Sequence, residues 1–329
     1  MSMDTKMPYG QVDGIDQPVS RIILGTMIVS TDDRERSFDL LDMAAELGCN
    51  TVDTALVYAG GNSERAIGQW MEQRGNRDDM VIISKGCHPN ADREKVTPYD
   101  FTADLHDSLA RLRTGYIDMY MLHRDNPEVE VGPIVEQFNQ HIEDGLIGAA
   151  GASNWSHERI EEANEYAESH GLQGFAASSP HFSLAVQVEN PWGPGCVGIS
   201  GPEEKGARDW YRRTDMPVFA YSSLARGFFS GRITSDNYEE QKKNLDDACQ
   251  KAYCHDINVQ RLARAEKLAE EKNLSVPQLA TAYVMNVDLN IFALMGVEKR
   301  EEMESNIRAA QVELTEAEID WLELKRDER

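Results

Sequence analysis

Residues Asn50–Tyr58, with the sequence NTVDTALVY, are a short β-branched run that delivers an aspartate and, five residues later, a tyrosine. Thr51, Val52 and Thr54 favour an extended backbone, and glycines on both sides supply turns. The stretch is therefore predicted to be a strand that ends in a loop. An ionisable group at the end of a buried strand is costly without a partner, so Asp53 requires a cation from elsewhere in the fold.

Length, composition and charge limit the classes of protein that the chain can belong to. Its 329 residues are many for one ordinary domain, but single α/β barrels reach this size. A hydrophobic content of 41% predicts a large core. The net charge of -24 argues against nucleic acid or an anionic membrane as a partner.

Five cysteines at irregular spacing do not resemble a disulfide framework and favour a reducing cytoplasm. The pairs Cys87-His88 and Cys254-His255 lack the repeated spacing of zinc ligands, so we expect no metal site. The sequence shows no targeting segment and no run of apolar residues long enough to span a membrane. We expect a cytoplasmic protein.

Apolar strands alternate with helical stripes along the chain. Turn-rich residues 7–20 predict a small hairpin ahead of the main fold. Eight predicted strands follow, at residues 21–27, around Asp53, and at 80–85, 117–123, 147–153, 175–179, 217–221 and 291–295. This pattern predicts an α/β fold, a (β/α)8 TIM barrel with an N-terminal β-hairpin and extra C-terminal helices. We expect one domain over residues 1–329.

Polar side chains end three consecutive predicted strands. Asp53, Lys85 and His123 close the second, third and fourth strands, and Tyr58 lies on the loop after the second. Each alone has an ordinary explanation, because a lysine often lies at the surface and a histidine often packs. In a barrel, however, these strand ends converge on the face where active sites are built. We expect the four side chains to meet there.

Together these four groups permit proton donation to a carbonyl. A free tyrosine has a pKa near 10, and each unit of lowering requires about 1.4 kcal/mol. A Lys85 ammonium beside Tyr58 would favour the phenolate and lower that pKa, while Asp53 would hold Lys85 protonated. His123 would donate a hydrogen bond to the substrate oxygen. Nothing here looks like a nucleophile with its own base, which argues against covalent hydrolysis.

These residues belong to a longer series of motifs by which the chain resembles the aldo-keto reductase family over essentially its whole length. The motifs occur in the family's order at Leu24–Met27, Val52–Tyr58, Ile83–Lys85, Leu122–Arg124, Gly151–Trp155, Ala220–Gly227 and Gly296–Asn306. The resemblance implies an NAD(P)H-dependent carbonyl reductase with an aldehyde, ketone or sugar as substrate. It implies Tyr58 as the acid, Lys85 and Asp53 as the groups that tune it, and His123 as the group that orients the carbonyl.

The resemblance also implies residues for the nicotinamide end of the cofactor. Near the nicotinamide and its ribose it places Gly25, Thr26, Met27 and Asp53, and at the carboxamide Ser153 and Asn154. Where the family has a glutamine and, three residues later, a tyrosine, this chain has Ser179 and Phe182. Phe182 is expected to stack on the nicotinamide, whereas Ser179 is too short to make the glutamine's contact in the same way.

For the rest of the cofactor, the resemblance implies two further segments. The pyrophosphate is expected at Tyr221, Ser222, Ser223, Leu224, Arg226 and Gly227, with Arg226 in direct charge pairing, and the adenosine at Gly296, Lys299, Glu302 and Asn306. Lys299 would lie near a 2′-phosphate and Asn306 on the adenine. Because many relatives have arginine or glutamine in place of Glu302, the preference for NADP is weakened; we expect NADP, with NAD as the alternative.

One apparent motif is interpreted as a loop. Residues Gly193–Gly198, GPGCVG, match the dinucleotide fingerprint, but Pro191 and Pro194 break the strand, turn and helix that it requires. The position after the sixth strand suggests that Trp192 lines the substrate pocket. Trp155 is a weaker candidate for the same role.

Two other functions are compatible with such a barrel. One is a regulatory or scaffold subunit that binds the cofactor with little turnover, which would not need all four polar groups. The other is an isomerase or aldolase in which Lys85 forms a Schiff base. Pairing with Asp53 argues against the latter, because it would keep Lys85 charged and poorly nucleophilic.

Overall fold

The computed structural model describes residues 6–329, and its ten strands form a hairpin and a closed barrel. The hairpin pairs β1 (Tyr9–Gly10) antiparallel with β2 (Val19–Ser20). The barrel strands are β3 (Ile22–Gly25), β4 (Thr51–Asp53), β5 (Val81–Gly86), β6 (Ile117–Leu122), β7 (Ile147–Ser153), β8 (Ala177–Ser179), β9 (Val218–Ala220) and β10 (Ile291–Met295). All eight pair in parallel, and β10 closes the ring against β3. The predicted (β/α)8 barrel with its N-terminal hairpin is confirmed.

Helices cover the outside of the barrel. They are α1 (Arg34–Glu46), α2 (Asn62–Arg74), α3 (Pro98–Leu112), α4 (Val131–Glu143), α5 (His157–His170), α6 (Lys205–Thr214), α7 (Tyr238–Gln241), α8 (Asp247–Tyr253), α9 (Asp256–Lys272), α10 (Val276–Asn286), α11 (Arg300–Ala309) and α12 (Glu316–Leu322). Within residues 6–329, no helix is long and apolar enough to cross a membrane.

Strand side chains alternate between the barrel interior and the helix layer, since successive residues of a strand point to opposite faces. Along β5, Val81 and Ile83 belong to the interior cluster, whereas Ile82 packs with the helices outside. The hairpin contributes Val12 and Val19, which are also in the interior cluster. The interior is therefore filled by apolar side chains, and the hairpin takes part in filling it.

The same alternation decides where the polar strand ends point. Lys85 lies two residues after Ile83, and His123 lies two residues after Met121, both interior residues. Val52 packs on the outer layer, so its neighbour Asp53 faces inward. The strand pattern thus brings three ionisable side chains to the carboxyl end of the barrel interior.

Candidate active site

An ion pair between Lys85 and Asp53 lies at the centre of this end of the barrel. The Lys85 Nζ is 2.6 Å from both Asp53 carboxylate oxygens and donates a further hydrogen bond to the Thr54 carbonyl at 3.0 Å. Both side chains are 2% exposed. Burial lowers the pKa of Lys85, but Asp53 and Tyr58 together raise it, so the net pKa lies above the usual value. Burial raises the pKa of Asp53 and Lys85 opposes that rise. We assign the charged form to both, because a carboxylate and an ammonium satisfy all of these short contacts.

Tyr58 begins a tight turn that returns the chain to α2. The three residues after it have positive φ values of 49°, 62° and 88°. At the last of them, Gly61, the φ of 88° favours glycine, and the Arg111 guanidinium packs against its Cα. Arg111 also donates a hydrogen bond to the Leu56 carbonyl at 2.7 Å. These contacts hold the loop that carries Tyr58.

The surroundings of Tyr58 keep its hydroxyl protonated. The Lys85 Nζ lies 5.1 Å from the centroid of the Tyr58 ring, and the ring meets His123 edge to face at 5.8 Å. Burial raises the pKa of Tyr58, Lys85 lowers it and Asp53 raises it again, with a net rise above the usual value. The prediction of a lowered pKa is therefore wrong for the protein alone, because Asp53 offsets the Lys85 charge and burial disfavours the phenolate.

His123 is a neutral imidazole at the same place. Burial lowers its pKa well below the usual range, and the charges of Lys85 and Arg124 lower it further. Its Nδ1 is buried and has no hydrogen-bond partner within residues 6–329. A neutral imidazole carries one donor and one acceptor. His123 can therefore donate one hydrogen bond to a ligand and remain uncharged.

The residues predicted at the nicotinamide carboxamide already bind one another. The Ser153 hydroxyl donates to the Ser179 carbonyl at 3.1 Å, and the Asn154 amide nitrogen donates to the Ser153 oxygen at 3.1 Å. The Asn154 amide oxygen accepts from the Tyr221 hydroxyl at 2.9 Å and from the Val197 backbone at 3.1 Å. A ligand amide would have to replace one of these partners to bind Asn154.

The residues predicted at the ribose lie beside the ion pair. Thr26 is buried, and both its backbone N–H and its hydroxyl donate to the Asp53 carbonyl, at 3.0 and 2.8 Å. Gly25 pairs with Asp53 in the strand ladder, and Met27 is 59% exposed at the rim. Thr26 thus holds the Asp53 backbone, while Met27 is accessible to a ligand.

The predicted ligand contacts of Phe182 and Trp155 are wrong, and the Ser179 hydroxyl is not available to a nicotinamide. Phe182 is completely buried and stacks on Tyr283, with the ring centroids 5.9 Å apart, so it presents no face to a nicotinamide. Trp155 is completely buried against Phe175 and does not line a pocket. In both cases a large apolar ring was used for core packing. The Ser179 hydroxyl is also buried.

Trp192 and the segment that follows β9 lie together at the rim. Trp192 is 39% exposed, in a loop as predicted, and the Arg226 guanidinium lies 5.0 Å from the centroid of its ring. Arg226 also pairs with Asp246, at 3.1 Å. The predicted charge partner of the pyrophosphate is therefore already paired inside the protein.

The segment Tyr221–Gly227 turns tightly. Positive φ values occur at Ser222, Ala225, Arg226 and Gly227. Left-handed turns of this kind direct backbone N–H groups into anion-binding concavities. A Cβ at Gly227 would lie 2.8 Å from the Arg232 guanidinium, which therefore covers this turn. Arg232 was not predicted from the sequence, since it lies outside the motif.

The residues predicted at the adenosine surround the start of α11. Lys299 precedes the helix and is exposed, and Gly296 lies at the end of β10. The Glu302 carboxylate accepts a hydrogen bond from the Glu298 backbone N–H at 2.8 Å. Asn306 is 5% exposed. The Glu302 carboxylate thus accepts from a backbone N–H at the N-terminus of α11, a position that would otherwise favour a phosphate.

Two residues beside His123 were given no role by the sequence. Arg124 donates from Nη1 to the His123 carbonyl at 2.9 Å. The His88 ring meets the His123 ring edge to face at 4.9 Å, and His88 Nδ1 lies 2.8 Å from the Pro89 carbonyl. Since a carbonyl can only accept, His88 carries its proton on Nδ1 and keeps Nε2 as an acceptor. The sequence could have suggested a role for Arg124, because it directly follows His123.

Within residues 6–329, no three His, Cys, Asp or Glu side chains are grouped so that they could hold a metal ion.

Comparison with known proteins accounts for this arrangement. The model of the aldo/keto reductase family matches residues 21–326. The chain belongs to the aldo/keto reductase family. This aldo/keto reductase is accordingly an enzyme, an NAD(P)-dependent oxidoreductase that reduces carbonyls to alcohols.

Its relatives include fungal enzymes of low sequence identity. The aldo/keto reductase is 26% identical to norsolorinic acid reductase B of Dothistroma septosporum, over 97% of this chain and 82% of the relative. It is 27% identical to an aryl-alcohol dehydrogenase [NADP(+)] of Phanerodontia chrysosporium, over 92% and 82% of the two chains. The solved structure of a glycerol dehydrogenase from Gluconobacter oxydans shares the fold, with a TM-score of 0.75 and 24% identity over 98% and 95% of the chains.

Proposed function

We propose that this aldo/keto reductase reduces an aldehyde, ketone or sugar with Tyr58 as the general acid. The observation that carries the proposal is the convergence of Tyr58, the Lys85–Asp53 ion pair and a neutral His123 at one end of the barrel. When bound, the reduced nicotinamide supplies the hydride. The protein supplies the proton and the electrostatic environment.

Tyr58 is suited to be the proton donor. Its raised pKa keeps the hydroxyl protonated at neutral pH, which an acid requires before it donates. Once the proton has moved to the substrate oxygen, the Lys85 ammonium stabilises the phenolate that remains. Asp53 keeps Lys85 charged and in place. General acid catalysis of this kind typically contributes about 10²- to 10⁴-fold to a rate.

His123 is suited to position the carbonyl. Because its pKa is depressed, the imidazole stays neutral and donates a single hydrogen bond without itself competing as an acid. A donor fixed in a buried site stabilises the negative charge that develops on the substrate oxygen. The two rings lie edge to face with centroids 5.8 Å apart, which supports a role for both donors on one substrate oxygen.

The residues present fit a nicotinamide dinucleotide. The left-handed turn of Tyr221–Gly227 offers an anion-binding concavity that Arg232 covers, and Ser153 and Asn154 offer polar groups near His123. We place the adenosine end near Lys299 and Asn306 and NADPH ahead of NADH, since one relative is named for NADP(+). Glu302 reduces that preference.

The test is consumption of NADPH or NADH in the presence of short aldehydes, aryl aldehydes and aldoses. We expect turnover with at least one class and a loss of about 10²- to 10⁴-fold in kcat for Tyr58→Phe. Tyr166→Phe is the matched control, because this hydroxyl donates to Glu136 on the outer helices, away from the strand ends. An unchanged rate in Tyr58→Phe would overturn the assignment, and cofactor binding without any turnover would favour a regulatory barrel.

A further inference from the structure

We propose that the enzyme selects carbonyl substrates that carry an acidic group, and that Arg124 binds that group. The acidic group is a carboxylate or a phosphate, which share the geometry that a guanidinium recognises. The proposal rests on the proposed carbonyl reduction and specifies the substrate class for the same site.

The position of Arg124 is the first argument. It directly follows His123 at the end of β6, and its Nη1 donates to the His123 carbonyl at 2.9 Å. The Asn154 amide nitrogen donates to the same carbonyl oxygen at 3.2 Å. The guanidinium and the Asn154 amide therefore lie side by side. Consistent with this place, the charge of Arg124 acts to lower the pKa values of Tyr58, His123 and His88.

The lack of a counter-ion is the second argument. The chain has 57 acidic residues against 33 basic ones, yet within residues 6–329 no carboxylate lies within 4.0 Å of Arg124. The neighbouring Asp125 instead pairs with Arg159, at 3.1 Å. A guanidinium has five N–H donors, and the His123 carbonyl uses one of them. Arg124 is half-buried, so part of its guanidinium faces solvent, and its remaining donors are accessible to an acidic ligand.

The third argument distinguishes substrate from cofactor. The turn assigned to the pyrophosphate follows β9 and has its own cations, Arg226 and Arg232. Arg124 directly follows His123, the residue proposed to hold the reacting carbonyl, after the end of β6. An anion on Arg124 is therefore expected to belong to the substrate.

The experiment compares substrates that differ in charge. We would measure kcat/KM for 4-carboxybenzaldehyde, 4-formylphenyl phosphate and neutral 4-nitrobenzaldehyde in wild type, Arg124→Met and Arg124→Lys. We expect the acid-to-neutral ratio to fall at least tenfold in Arg124→Met and less in Arg124→Lys, which keeps the charge but loses the fork. Comparing ratios between variants cancels the intrinsic reactivity of each aldehyde. The two acidic substrates distinguish a carboxylate site from a phosphate site.

Arg213→Gln is the matched control, because Arg213 pairs with Glu161 on the outer surface; its acid-to-neutral ratio should equal that of wild type. An acid-to-neutral ratio that is unchanged in Arg124→Met overturns the proposal even if neutral aldehydes are reduced.

If no aldehyde is reduced, the proposed function fails, and binding still tests the role of Arg124. Benzoate and benzamide would be titrated against the tryptophan fluorescence of the protein. We expect wild type to bind benzoate at least tenfold more tightly than benzamide, and Arg124→Met to lose this difference. Equal binding of the two compounds to wild type would overturn the inference.

Discussion

The carboxyl end of the barrel has two halves that differ in how their polar groups are satisfied. The half that we propose to be catalytic, called the catalytic half below, consists of Asp53, Tyr58, Lys85 and His123, at the ends of β4 to β6 and on the loop after β4. The half that we propose to bind the cofactor, called the cofactor half, consists of Ser153, Asn154 and the segments Tyr221–Gly227 and Gly296–Asn306. In the catalytic half, a buried ion pair with 2.6 Å contacts fixes the charged groups in the arrangement that the proposed reaction would use.

In the cofactor half, by contrast, the groups expected to bind the ligand are occupied by the protein itself. Asn154 binds Tyr221 and Val197, Arg226 binds Asp246, and Glu302 occupies a backbone donor. Under the proposed function, the contrast means that the reacting groups are preorganised before ligand arrives, as electrostatic catalysis requires. Binding of a dinucleotide at the proposed residues would instead exchange internal partners for ligand contacts.

Among variants that test this comparison, we expect the largest effect when the Lys85 charge is removed from the catalytic half. Lys85→Met leaves the buried Asp53 unpaired, so we expect the free energy of unfolding to fall by about 3–5 kcal/mol. We also expect kcat to fall by at least about 100-fold, because the phenolate loses its stabilising charge. Denaturant titration and steady-state kinetics measure the two effects.

The double variant Asp53→Asn with Lys85→Met separates stability from catalysis. It should recover much of the stability, since no unpaired charge remains, but not the activity. Recovery of both would mean that the pair serves packing alone. As a surface control, Arg213→Met, which breaks an exposed pair with Glu161, should cost no more than about 1 kcal/mol.

We expect a somewhat smaller effect of pH on the free energy of unfolding, caused by His181, which lies beside Tyr221 in the cofactor half. Burial lowers the pKa of His181 to about 3, and its Nδ1 has no partner within residues 6–329. Below about pH 6.5 the unfolded chain takes up a proton that the folded chain refuses, so stability is lost as the pH falls toward 3. The loss for this one group is on the order of 4 kcal/mol.

Chemical denaturation between pH 7 and 3.5 checks this, with His181→Phe compared to wild type. The variant should be relatively more stable at the acid end, whereas His170→Phe, at the exposed end of α5, should follow wild type. A difference between His181→Phe and wild type that does not change with pH would contradict the prediction.

The smallest expected effect is on the choice of cofactor. Glu302→Gln removes a charge but keeps an oxygen that accepts from the Glu298 backbone. We expect the ratio of kcat/KM for NADPH to that for NADH to rise about threefold to tenfold, because a like charge near the 2′-phosphate is removed. Glu301→Gln, one residue away on the exposed helix, is the control. No change in the ratio would place the 2′-phosphate away from Glu302.

Sequence periodicity was sufficient for the barrel and for the direction of the polar strand ends. Two-residue alternation places Asp53, Lys85 and His123 on the interior face, since Val52 faces outward and Ile83 and Met121 face inward. A cation for Asp53 could be predicted because an unpaired buried carboxylate is too costly. Both conclusions follow from short-range patterns and elementary electrostatics.

Tertiary structure alone decided which aromatic rings are buried and which charges are paired. Phe182 and Trp155 pack in the core, although the family resemblance suggested a nicotinamide contact for Phe182 and the sequence made Trp155 a candidate for the substrate pocket. The net direction of the Tyr58 pKa depends on burial against the opposed charges of Lys85 and Asp53. Asp125 pairs with Arg159, and within residues 6–329 no carboxylate pairs with Arg124. Each of these outcomes depends on distances between segments far apart in sequence, and a linear pattern does not contain those distances.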